Sequence, residues 1–589
     1  MKNFWTTALG AFVGTLVAFI LFTFISIILT FISFIGLFAT LGEESTPTKL
    51  SEKSVLCIDL SRPILEKNNI SNQVAELWGE TEKPYIMADL IKSIENAADN
   101  KNIEGIYLKC TGSSNNGVAT NYAVRKVLNQ FKESGKWIYS YADNYTQSDY
   151  YLASVSDSLF INPEGSLDLH GITSSIPHFK KLLDKIGVEM QIFKVGTFKS
   201  AVEPFILTES SDANRFQTQT YIDSMWKNIS LGISGSRNIS VDSLNNAVNS
   251  VMITKPVSYL AENKLIDGTC YKFNFEKKLK ETLDIEEDAD INFVSPEDLN
   301  KVSTSKESKN KIAVLYAIGD INSQSKEGIV ADDIVENILE IAKDDDIRGL
   351  VMRVNSGGGS AYDSEQIWAA LETYKETGKP FAVSMGDYAA SGGYYISCGA
   401  DKIFAEPTTL TGSIGIFGMI PNTSKLRSTL GINISSVSTN QNAAFSIDGA
   451  LSPIQKIEFQ KMVERGYELF TTRCADGRNM PMEELKAIAE GRVWDGESAK
   501  ELGLVDELGS LNDAVKWVAS ELEIDDYSVK TLPTKKDLFD ELISSYLSSA
   551  TVNILLDDNM KNLYNYKSEM DKILNLDKIQ AVTYINVEL

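Results

Sequence analysis

Histidine is nearly absent from this sequence. The 589-residue chain holds two, His170 and His178. A Ser-His-Asp triad or a His-rich metal site would have to use one of them. That scarcity favours a nucleophile activated by some other base. Cysteine is sparse as well: Cys57, Cys110, Cys270, Cys398 and Cys474 are odd in number, widely spaced and contain no C-x-x-C pair. Zinc ribbons and dithiol redox motifs are thereby excluded, and no metal or cofactor is expected. Basic residues are outnumbered, 56 Lys and Arg against 80 Asp and Glu. A net charge of −24 leaves no basic stripe for phosphates, so nucleic acid is not an expected partner. Disorder-promoting bias is also missing, since 43% of residues are hydrophobic. The length calls for two or three domains.

Charge is lacking altogether from Asn3 to Gly42, and Ala11 to Leu41 is rich in Phe, Leu, Ile, Val and Ala. About 20 apolar residues cross a bilayer. A cleaved signal peptide has an apolar region of only about 7–15 residues, so residues 1–42 read as an uncleaved transmembrane anchor. Lys2 lies on one side, Glu43 and Glu44 on the other. The positive-inside tendency then leaves the N-terminus cytoplasmic. In a bacterium this means a single-pass inner-membrane protein with its body in the periplasm.

An internal repeat governs the rest. Ile103, Gly105 and Lys109 align with Ile347, Gly349 and Arg353, an offset of 244 positions from Ile103 to Ile347. At the same offset Asp143 meets Asp387, Tyr150 and Tyr151 meet Tyr394 and Tyr395, and Phe160 meets Phe404. The repeat places one copy at 53–300 and a second at 308–525, with residues 526–589 as an extension of unknown role. Asn300 to Lys311, rich in Ser, Lys and Glu, is the natural boundary. In each copy short apolar runs alternate with helical stretches, which predicts βαβ units and a mainly parallel sheet. Gly349–Val354, Phe381–Met385 and Lys402–Ala405 read as strands, Asp363–Tyr374 as a helix, and Asn355–Ser360 as a glycine-rich turn. A late strand is expected from Ala581 to Val587.

The copies are damaged in complementary ways. Ser391, in Ala390-Ser391-Gly392-Gly393, faces Gln147 of copy one; Lys199, in Gly196-Thr197-Phe198-Lys199-Ser200, faces Ala443 of copy two. Ser391 falls between a predicted strand and a predicted helix, where a nucleophile is exposed at the sheet's C-terminal edge. Gly358 and Gly359 in one turn and Gly392 in the other are candidate oxyanion donors. A lysine serves as base when burial keeps it neutral, and Lys199 lies in an otherwise uncharged window, Val195 to Val202. The two halves of one site should meet at the seam between the copies.

Gly196-Thr197-Phe198-Lys199-Ser200-Ala201-Val202-Glu203-Pro204-Phe205 resembles the lysine motif of the signal peptide peptidase A family, in its long tandem form also called protease IV. Arg353-Val354-Asn355-Ser356-Gly357-Gly358-Gly359-Ser360, Ala389-Ala390-Ser391-Gly392-Gly393-Tyr394-Tyr395 and Leu410-Thr411-Gly412-Ser413-Ile414-Gly415 resemble its serine-half motifs. The resemblance implies tandem Clp-protease and crotonase-like α/β domains, and a membrane-anchored serine endopeptidase that degrades released signal peptides. It makes Ser391 the nucleophile, Lys199 the general base, Ser413 the group that orients the lysine, and Gly359 and Gly392 the oxyanion donors. It also implies a homotetramer. Gly357 stands where the family usually has proline, which leaves both N–H donors available. Two other readings remain open: a crotonase-like acyl-CoA enzyme, and a non-catalytic membrane scaffold.

Overall fold

The computed structural model describes residues 50–67, 83–112, 114, 116–302, 308–324, 328–443, 449–533 and 579–582. The expected anchor, residues 1–42, lies outside them. Among the described residues no helix is long and apolar enough to cross a membrane.

Two parallel sheets carry the two copies. In the first, the strand order is Gly268–Thr269, Ser158–Leu167, Trp137–Tyr145, Ile103–Cys110, Ser54–Asp59, Phe293–Val294. In the second, Leu410–Gly412, Phe381–Ala390, Ile347–Ser356, Lys311–Ile318 and Ser528–Leu532 follow in the same sense. Lys402–Ala405 also pairs with Phe381–Ala390, and Val493–Asp495 closes the edge antiparallel to Leu410–Gly412. Ile347–Ser356 is covered on both faces, as its near-continuous apolar run requires in a central parallel strand. The second sheet takes in Ser528–Leu532, beyond residue 525, just as Phe293–Val294 borders the first.

A third, antiparallel sheet crosses the seam. Its order is Gly358–Ser360, Ile579–Val582, Phe417–Asn422, Glu189–Lys194. Glu189–Lys194 belongs to copy one, yet it pairs with Phe417–Asn422 of copy two, from Phe417 opposite Lys194 to Asn422 opposite Glu189. This exchange carries the chain of copy one into copy two just before Lys199. The glycine-rich segment read as a turn is in part a strand, because Gly358–Ser360 finds a partner in the distant segment Ile579–Val582.

Polar groups also fasten the copies together. Arg353 is fully buried and grips Glu66 bidentately, at 3.0 Å from Nε and 2.6 Å from Nη2. Asp387 accepts from the Ala119 and Thr120 amides at 2.9 and 3.0 Å. It thereby caps the copy-one helix Val118–Lys132, whose own N-cap, Gly117, has no side chain to do so. Buried donors at helix starts need such acceptors, so each copy satisfies groups the other leaves open.

Candidate active site

Ser391 follows the strand Phe381–Ala390 and caps a single helical turn, Gly392–Tyr395. Its backbone is at φ 57°, ψ −114°. A serine held there is strained by about 1–3 kcal/mol, a pattern that clusters at catalytic elbows. Its amide is anchored on the Gly412 carbonyl at 2.8 Å. Ser413, next in chain from that anchor, is also left-handed, at φ 48°.

Lys199 Nζ lies 2.6 Å from Ser391 Oγ. Its other partners are the Ser413 carbonyl at 3.1 Å and Ser413 Oγ at 3.2 Å. All three are neutral oxygens. Lys199 is 1% exposed, and burial alone pushes its ammonium well below the usual lysine range. The hydrogen-bond count then fixes direction. Ser413 Oγ lies 3.1 Å from the Gly491 carbonyl and donates to it, so toward Lys199 it must accept. In its neutral form the amine has two N–H groups; with both on the two Ser413 oxygens, its lone pair faces the Ser391 hydroxyl.

The sequence-predicted residues therefore converge, with one difference among the glycines. Gly358 and Gly392 adjoin: a methyl group built on Gly358 would stand 2.6 Å from the Gly392 amide nitrogen. Gly358 is at φ 101°, open to glycine alone. Its N–H is not idle, because Ser356 Oγ accepts it at 3.1 Å. Gly359 has its α-carbon packed on the Ile321 backbone, where an added methyl would be 2.1 Å from the carbonyl oxygen.

Gln147, opposite Ser391 in the repeat, accepts from the His170 and Gly171 amides at 3.1 and 2.8 Å and donates to the Gly171 carbonyl at 2.9 Å. It is a structural cross-link. Ala443, opposite Lys199, is exposed. Both histidines sit in copy one with partly exposed rings that bond to backbone carbonyls. All five cysteines are free.

Two supports leave no clear pattern in the sequence. Gly491, at φ 79°, lets the backbone run against Lys199; a methyl there would be 2.7 Å from the lysine Cβ. Gln217 braces the lysine loop, donating to the Phe198 carbonyl at 3.1 Å and accepting from the Val493 amide at 3.2 Å. The only local clue was a glycine just before the short strand Val493–Asp495.

Comparison with known proteins places this architecture. The model of Peptidase family S49 matches the chain twice, over residues 130–283 and 373–525. The chain belongs to peptidase family S49. Protease 4 of Salmonella typhi is 32% identical over 561 residues, covering 92% of this chain and 90% of that protein. Protease 4 of Haemophilus influenzae is 34% identical over 518 residues, covering 84% and 82%. The chloroplastic serine protease SPPA of Arabidopsis thaliana is 30% identical over 444 residues, covering 73% and 64%. As a family S49 member the chain is a serine protease, and the acyl-CoA and scaffold readings fall away.

Proposed function

We propose that this S49 protease is a membrane-anchored endopeptidase of released signal peptides that works through a Ser391–Lys199 dyad. The supporting observation is the buried Lys199 side chain 2.6 Å from the Ser391 hydroxyl, with no charged partner among the described residues. Ser391 Oγ attacks the substrate carbonyl carbon while its proton passes to Lys199 Nζ. The oxyanion forms against the backbone N–H groups of Gly359 and Gly392. The ammonium then gives its proton to the leaving amine, and water resolves the acyl-enzyme by the same route. Residues 1–42 hold the body at the membrane on the periplasmic side, next to where apolar leader peptides are released, and four copies assemble. The test uses the full chain in detergent with a synthetic apolar leader peptide. Wild type should cut within the apolar run and spare a highly charged control. Equal cutting of both, or of neither, contradicts the assignment.

Ser413 acts as a positioning residue. Ser413→Ala should lower the rate roughly 10- to 100-fold, the scale of a misplaced reacting group. It also removes an acceptor that favours the ammonium form, so the midpoint of the pH–rate curve should move to lower pH. A lower rate with an unmoved midpoint would mean that Ser413 only fills space.

A further inference from the structure

Arg492 is a cation without an anion. Its side chain is partly buried, and its Nε–H is buried with no acceptor among the described residues. Burial lowers its pKa, and no carboxylate among the described residues lies close enough to offset that cost. Arg353, Arg473 and Arg478 differ, for each holds a carboxylate, on Glu66, Glu365 and Asp506. Three rings surround Arg492 instead. Its Cζ lies 4.0 Å from the ring centroid of Trp494, 5.1 Å from that of Phe198 and 5.2 Å from that of Phe216. Stacking on ring faces holds the charge. It leaves the N–H edge of the fork, which matches a carboxylate bidentately, for a ligand.

This frame is tied to the site. Phe198 directly precedes Lys199, and the Arg492 carbonyl accepts the Ser413 amide at 2.7 Å. Trp494 lies opposite Thr411, next in chain to the Gly412 whose carbonyl anchors Ser391. Its indole donates to the Ile488 carbonyl at 3.0 Å, which fixes the ring. Phe216 is 57% exposed, so the frame opens to solvent on that side. The rings also give the charge apolar walls. A ligand that fits both joins a carboxylate to an apolar body.

We propose that Arg492 and its three rings form a carboxylate site, which holds the free C-terminus of an apolar peptide while the Ser391–Lys199 dyad cuts it upstream. The proposal rests on the leader-peptide reading above. A leader released by cleavage differs from one still attached to its protein by the carboxylate at its new end. Two N–H groups of the guanidinium donate to the two carboxylate oxygens, and the terminal side chain lies against the rings. A leader still attached has no such carboxylate and binds less well. The site thereby confines hydrolysis to peptides already set free.

The full chain in detergent tests this with one apolar leader peptide made in three forms: the free C-terminal acid, the C-terminal amide, and the amide with glutamate at its penultimate position. Wild type should favour the acid over both amides by about 10- to 100-fold in kcat/KM, carried by KM. Arg492→Met should cut acid and amide alike, and Arg492→Lys, which keeps the charge but not the fork, should keep part of the preference. A wild type that cuts all three forms equally overturns the carboxylate site and leaves the dyad standing. A glutamyl amide cut as well as the acid overturns recognition of the terminus. A preference that survives in Arg492→Met overturns the role of Arg492. A wild type that cuts none of the three removes the leader-peptide reading, and this site with it.

Discussion

Ser391→Ala should lower peptide hydrolysis by about 10,000-fold or more, with the fold intact. The magnitude is that of removing a serine nucleophile whose partners work as a unit. Ser413 lies behind the lysine, its hydroxyl already donating to the Gly491 carbonyl. The two histidines are in the other copy and bond to backbone carbonyls. Alanine keeps the Cβ, so the strained backbone at φ 57° and its tie to Gly412 remain. The loss is then chemical rather than structural. Steady-state hydrolysis together with an unchanged urea midpoint would check this. A variant retaining a tenth of the activity would exclude Ser391 as nucleophile.

Lys199→Met should cost about 1,000- to 10,000-fold, the contribution of a positioned general base. In wild type the rate should rise with pH as the ammonium loses its proton, and level off below the ordinary lysine range, because burial lowers that pKa. The stability effect has the opposite sense. The folded-state pKa lies below the unfolded one, so at pH values between the two the unfolded chain binds more protons at this position. Wild-type stability is therefore reduced below the unfolded lysine pKa and recovers as pH rises toward it. Methionine has no such linkage. Lys199→Met should melt above wild type at neutral pH, and the gap should close as pH rises toward about 10.4. A flat pH–rate profile in wild type, or a variant less stable than wild type at neutral pH, would contradict a buried neutral lysine.

The sequence carried more of the site than of its surroundings. Ser391 and Lys199 were legible because the repeat shows each half missing its counterpart, and losses in opposite copies imply a meeting at the seam. What the repeat could not show is how the seam is crossed. Glu189–Lys194 looks like an ordinary strand, and its pairing with Phe417–Asn422 is set by residues more than two hundred positions away. The same distance hid the strand character of Gly358–Ser360, whose glycines read locally as a turn until Ile579–Val582 pairs with them. The tie from Ser413 through Gly491 to Lys199 likewise joins three segments with no shared local pattern. Gly357, by contrast, is legible in the sequence, whereas the capture of the Gly358 N–H by Ser356 Oγ is not. A side-chain hydrogen bond within one turn depends on rotamers that residue type alone does not fix.

A serine-directed fluorophosphonate, followed by peptide mapping, tests the central claim most directly. Only a hydroxyl with a neutral base in reach should react at neutral pH. Wild type should carry one adduct, on Ser391, and Lys199→Met should carry almost none. An adduct on another serine, or equal labelling of Ser391 in both proteins, would show that Lys199 does not activate it.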